Sequence, residues 1–289
     1  MCGRYASARK RIELLEEFSV QSDRVTEPLK PDYNVAPTKP VYAVLTRQPD
    51  DRDGGSRAGA GASPAGDADA PPKPQRQLRV VRWGLVPFWA KDVKIGSRMI
   101  NARAETVSEK PAFRRAFAQR RCLLPADGYY EWQQHNGGPK QPIYISRQDG
   151  RSLAFAGLYE LWRDGTVGPD DPDAWLWTTT IITTSAPDEL GHIHDRMPMV
   201  IDPAAWDDWL DPANHEVSDI RSLLVPAASG GLTTYPVSTA VNSVRNNGPQ
   251  LIEPVGPTEA GLVAPLATGR ATAPGDGAAL HDAGTGALF

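Results

Sequence analysis

Apolar residues along this chain fall in short runs rather than in long helical stripes. Val, Ile, Thr and aromatic residues crowd into 41–46, 78–83, 143–147, 153–161 and 175–184, and each run predicts a strand. Ile12, Leu15 and Phe18 recur at helical spacing, so 9–18 predicts a helix with Ser7 as its cap. Segments 111–118 and 203–210 open on Pro111 and Pro203 and predict two more short helices. No strand–long helix–strand rhythm runs through the sequence. The pattern therefore predicts an α+β fold: a mixed, mainly antiparallel, curved and barrel-like sheet with short flanking helices.

Two stretches break the pattern. Residues 49–77 are Gly-, Ala-, Asp- and Pro-rich and hold almost no large apolar side chain. Such a segment cannot bury enough surface to offset its ordering entropy. It lies between two strand-like runs and reads as a disordered insertion. Residues 267–289 have the same character and read as a disordered tail. One domain over 1–266 is the expected organisation.

Composition narrows the class. The chain has 289 residues and two cysteines, so no disulfide framework is implied. It shows no leader-like start and no membrane-length apolar run, which points to a cytoplasmic protein. The net charge is −4, yet residues 79–121 hold eleven Lys or Arg against three Asp or Glu. A basic face on an acidic chain fits a confined polyanion site, although charge alone favours a solvated helix surface. Cys2, Cys122 and five scattered histidines give no metal-ligand spacing, so no metal and no cofactor are expected. Cys122 reads as a buried strand residue.

The candidate chemistry starts at Met1-Cys2-Gly3. If Met1 is removed, Cys2 presents an α-amine and a thiol on adjacent carbons. An aldehyde condenses with such an amine to an imine, and the sulfur then closes a five-membered thiazolidine. The alternative is an ordinary cysteine near a terminus. Glu131 stands between Tyr130 and Trp132, where desolvation would raise its pKa toward acid/base use, or it is a surface strand residue. His194 is an acid/base candidate or a structural histidine. Asn101 orients a substrate or braces a turn. Trp89 stacks on a base or belongs to the core.

Six ordered motifs resemble the SRAP family (SOS response-associated peptidase-like proteins). They are Met1-Cys2-Gly3-Arg4-Tyr5, Tyr33-Asn34-Val35-Ala36-Pro37, Trp83-Gly84-Leu85-Val86-Pro87, Asn101-Ala102-Arg103-Ala104-Glu105-Thr106, Asp127-Gly128-Tyr129-Tyr130-Glu131-Trp132 and His194-Asp195-Arg196-Met197-Pro198. A seventh stretch, 241–247, also fits, and the likeness runs to about residue 254. The resemblance implies a sensor of abasic sites in single-stranded DNA that traps them covalently. It implies Cys2 as nucleophile, Asn101 as the residue that holds the reacting centre, and Glu131 and His194 as acid/base groups. Arg4, Asn34, Pro37, Trp89, Arg103 and Arg114 would bind DNA. The partner is lesion-bearing single-stranded DNA, with no membrane and a monomeric protein. Where the family often carries adjacent tryptophans, this chain has Phe88-Trp89.

Two other classes remain. Met-Cys-Gly also opens N-terminal-nucleophile amidohydrolases, in which the thiol attacks an amide. A noncatalytic single-strand binder would use the basic face alone. Removal of Met1, by self-processing or by an aminopeptidase, is a premise of the covalent reading.

Overall fold

The computed structural model describes residues 2–48, 73–134, 138–168, 171, 174–226 and 231–256. The expected tail at 267–289 and most of the expected insertion lie outside these. The insertion's last residues do not: strand β5 already begins at Gln75, and Gln77 is buried. Pairing with β4 overrides the polar composition there.

The strands are β1 (Tyr5–Ser7), β2 (Ser22–Asp23), β3 (Asp32–Val35), β4 (Pro40–Arg47), β5 (Gln75–Trp83), β6 (Asn101–Arg103), β7 (Arg121–Ala126), β8 (Gly128–Gln133), β9 (Gln141–Arg147), β10 (Leu153–Arg163), β11 (Trp175–Ser185), β12 (Arg196–Pro198) and β13 (Leu232–Pro236). The helices are α1 (Arg11–Glu17), α2 (Arg114–Gln119), α3 (Asp188–Gly191), α4 (Trp206–Leu210) and α5 (Val217–Ser222). All five long predicted strands are present within a few residues of the expected bounds.

The sheet order β11-β10-β7-β4-β5 returns on itself, because β5 also pairs with β11 in parallel through Arg82 and Trp83. Those five strands close a barrel. Closure removes the exposed edges that a curved sheet would otherwise present. A second sheet runs β13-β9-β8-β1-β3.

Strand periodicity then divides the core. Val41, Ala43 and Leu45 of β4 join Val81 and Trp83 of β5 and share one cluster with Cys2 and with Tyr5 and Tyr129 of the second sheet. The alternate residues Tyr42, Val44 and Leu78 face a cluster built with Leu14, Phe117, Trp206 and Trp209 of the helices. Cys122 is fully buried in β7, as expected, and burial pushes its thiol up to about 12.

Helix α1 differs from expectation at its start. Ser7 belongs to β1, and the cap position is Lys10, whose backbone N–H donates to the Glu13 side chain. Ile12 is 66% exposed, whereas Phe18 is buried as expected, Leu15 packs partly buried against the same cluster, and Leu14 joins them.

Candidate active site around Cys2

Three strand pairings bring the candidate residues to one place. β1 lies between β3 and β8, with Tyr5 opposite Val35 and Tyr129. The Tyr130 N–H donates to the Arg4 carbonyl at 3.0 Å, and carrying this register one residue further sets Gly3 across from Glu131. The Asp127 carboxylate fastens the other end of β1 by accepting from the Ala8 N–H (2.6 Å) and from Arg9 Nε (3.1 Å). Cys2 therefore leaves β1 in an extended line beside β8.

Asn101 arrives by a different route. β6 pairs in parallel with β11, Asn101 against Ile181. The buried Trp83 indole donates to the Ile100 carbonyl at 2.9 Å and packs edge-on against Tyr5. Behind Trp83, Gly84 sits at φ 123°, and a Cβ there would come within 2.6 Å of the Gly96 carbonyl oxygen. Only glycine allows the 84–99 loop to close there. The Asn101 side-chain N–H then reaches the Cys2 carbonyl at 2.8 Å. Its side-chain oxygen is buried and has no hydrogen-bond partner among the described residues.

His194 comes from the turn before β12, which pairs with the end of β11. Arg196 ties this turn to β6. Its guanidinium makes a two-pronged contact with Glu105 (2.6 and 3.0 Å) and donates to the Thr183 carbonyl at 2.6 Å. That contact holds the Glu105 carboxyl below its usual range. Glu131, His194, Tyr129 and Arg196 line one cavity of about 10 Å³, close to the space that a single water needs.

The electrostatics differ from group to group. Cys2 is fully buried, and burial followed by the Glu131 charge pushes its thiol well above the ordinary range. It is a protonated thiol at neutral pH. Glu131 is 3% exposed, and burial raises its carboxyl to about 7, where it both gives and takes protons near neutrality. Burial lowers His194 below 6.5, so its imidazole is neutral. The Arg196 backbone N–H donates to His194 Nδ1 at 2.9 Å, although Asp195 Oδ1 also lies 2.7 Å from that nitrogen. The Asp195 side chain is 85% exposed and solvated, whereas the backbone donor is fixed, so the backbone bond sets the tautomer. Nε2 then carries the proton. His192, two residues earlier, is exposed.

The expected DNA contacts divide into four groups. Arg103 is exposed at the end of β6 and Arg114 is exposed on α2. Phe88 and Trp89 are each about half exposed on the loop after Gly84, and the Arg115 guanidinium lies 4.6 Å from the Phe88 ring centre. Pro37 is half-buried in a turn in which Thr38 adopts φ 73°, a strained value for a β-branched residue.

Arg4 and Asn34 belong to a different construction. Arg4 Nη1 donates to Asn34 Oδ1 (2.7 Å) and to the Val241 carbonyl (2.9 Å), and its guanidinium lies 5.7 Å from the Trp132 ring centre. Asn34 is fully buried, and its amide donates to the carbonyls of Val241, Ser243 and Asn246. Both residues staple the 241–247 stretch against β1 and β3. The Glu105–Arg196 pair was not singled out from the sequence, where 91 residues separate the two; membership of two motifs was its only signal.

Among the described residues, no group of three or more His, Cys, Asp or Glu is placed to hold a metal ion. No described helix is long and apolar enough to cross a membrane.

Comparison with known proteins gives a consistent picture. Residues 1–244 match the family model described as SOS response associated peptidase (SRAP). Abasic site processing protein YoqW of Bacillus subtilis is 37% identical over 253 residues, covering 88% of this chain and 99% of its own. Abasic site processing protein HMCES of Gallus gallus is 31% identical, covering 88% of this chain and 78% of its own. A crystal structure of a protein from Bacteroides thetaiotaomicron superposes with a TM-score of 0.67 at 26% identity, over 88% of this chain and all of the other.

Proposed function

This chain belongs to the SOS response associated peptidase family, and from that membership and the geometry at Cys2 we propose that it traps abasic sites in single-stranded DNA as a thiazolidine. The observation that carries the reading is the Asn101 bond to the Cys2 carbonyl, which fixes the Cys2 backbone beside a buried carboxyl. The abasic-site processing named for YoqW and HMCES supports the substrate.

The chemistry follows from the groups present. With Met1 removed, the Cys2 amine attacks the C1′ aldehyde of the opened sugar. A C–N bond forms, and the amine proton passes to the carbonyl oxygen. The carbinolamine loses water by protonation of its hydroxyl, which Glu131 supplies; a carboxyl near 7 returns to either state at neutral pH. The Cys2 sulfur then adds across the C=N bond. Because its thiol is held protonated by burial, it brings the proton that the ring nitrogen takes. One water leaves in total. His194 serves the earlier step: its Nε2 proton is directed at the sugar ring oxygen as the furanose opens. Arg103, Arg114 and the Phe88-Trp89 loop hold the strand by charge and stacking, while Arg4 and Asn34 act through the 241–247 stretch they hold.

Single-stranded DNA treated with uracil glycosylase is the test substrate. A denaturing gel should show a covalent band that Cys2→Ala removes. Ammonia release from glutamine without such a band would instead support an amidohydrolase, and salt-sensitive binding without a band a simple binder.

A further inference from the structure

A second pocket, of about 140 Å³, opens where β1, β3 and β4 meet. None of Cys2, Asn101, Glu131 or His194 lines it. Its apolar wall comes from Leu29, Val35, Pro40 and Val41. Val35 and Val41 belong to the same buried cluster as Cys2, and Val35 lies opposite Tyr5, three residues along from Cys2. At extended-strand rise, that is roughly 10 Å.

The polar side of the pocket is made by Ser7, Lys30, Asp32 and Lys39. Lys39 is fixed: its ammonium donates to Asp32 Oδ2 (2.6 Å) and to the Asn34 carbonyl (3.2 Å). Lys30 is exposed and makes no ion pair among the described residues. Two lysines against one carboxylate leave the rim positive. The strained Thr38 turn, with Pro37 on it, lies between the wall residues Val35 and Pro40.

Size and charge together select an occupant. An apolar cavity of roughly 150 Å³ admits one ring of benzene's size. A positive rim beside such a slot suits a planar ring carried on a phosphate backbone. We propose that this pocket receives the base of one nucleotide flanking the lesion and takes a pyrimidine in preference to a purine. The inference rests on the single-stranded DNA reading above. Leu29, Val35 and Val41 grip the ring, and Lys30 faces the adjoining phosphate.

The test uses the full-length protein and a set of abasic oligonucleotides that differ at one flanking position at a time. The flanking base is first omitted with an unreactive tetrahydrofuran spacer, then restored as C, T, A or G. At one position, omission should slow subsaturating crosslinking about tenfold, and a pyrimidine should restore more of the rate than a purine. Leu29→Trp, which fills the slot, should erase that positional dependence; Leu29→Phe serves if the larger residue prevents folding. A flat profile, or a dependence that survives the filled slot, overturns the proposal. So does a uniform loss in Lys30→Glu with no base dependence, which would mean that the rim acts on phosphates alone. Failure of the trapping reading looks different: the fully based oligonucleotide would then give no crosslink at all.

Discussion

Asn101 and Cys2 are joined through a single hydrogen bond, the Asn101 side-chain N–H donating to the Cys2 carbonyl across 2.8 Å, while the other end of the same amide is a buried oxygen without a partner among the described residues. An amide held in this way positions a terminal residue and keeps one acceptor aimed into the site. Asn101→Ala removes both functions. Crosslinking should slow by about ten- to a hundredfold, the equivalent of one to three kcal/mol. Single-turnover gels at saturating protein measure it. Asn101→Asp should be nearly as slow, because it cannot donate to the carbonyl.

Glu131 links rate to pH and stability. Glu131→Gln keeps the shape and loses the proton carrier, so crosslinking should fall by at least about a hundredfold. The stability effect has a definite sign. The folded carboxyl titrates near 7 and the unfolded one near its ordinary 4.5, so the folded state binds the extra proton between those values. Stability contributed by the neutral form is therefore complete below the unfolded pKa and is lost as pH rises to about 7. Urea midpoints between pH 5 and 7.5 should fall less steeply in Glu131→Gln than in the parent chain.

His194 acts on the sugar ring rather than on the imine. His194→Ala should therefore cost about tenfold or more with a natural abasic site, and only a few-fold at most with an oligonucleotide whose linear aldehyde cannot close to a furanose. Equal losses on both substrates would remove the ring-opening role and leave a general structural one.

Arg121 carries no site chemistry, yet it should matter for stability. Its guanidinium is buried and donates to the carbonyls of Trp209 (2.7 Å), Phe117 (3.1 Å), Ala118 (2.8 Å), Asp211 (2.6 Å) and Asn214 (3.0 Å). These carbonyls cluster where α2 and α4 end. Burial lowers this guanidinium to about 10, so it is still charged at neutral pH. Arg121→Met strands the carbonyls and should cost roughly 3 kcal/mol, or roughly 5–10 °C in Tm. Differential scanning calorimetry reads the shift directly.

Much of this fold was legible because its long strands are locally self-consistent. Strands β4, β5, β9, β10 and β11 are dense in β-branched and aromatic residues, and tertiary pairing only extended them. Strands β1, β6 and β12 are three residues each. Their own sequences cannot specify a strand; pairing with β8 and β11 does. The candidate site residues stand out in the sequence as polar groups inside apolar motifs, but the hydrogen bonds that tie them to distant segments do not. Arg4 reads as a phosphate grip in any linear view. In the fold its Nη1 also donates to Asn34 and to the Val241 carbonyl, 237 residues away in the chain. Asn34 looks available for DNA in the sequence and is fully enclosed in the fold. Long-range hydrogen bonding of this kind leaves no periodic trace.

Intact mass of the adduct tests the central claim most directly. Protein incubated with an abasic single-stranded oligonucleotide should yield one new species. Its mass should equal the chain without Met1 plus the oligonucleotide minus one water, and fragmentation should place the bond at Cys2. An adduct that retains Met1, or one that maps to a different residue, would contradict the account.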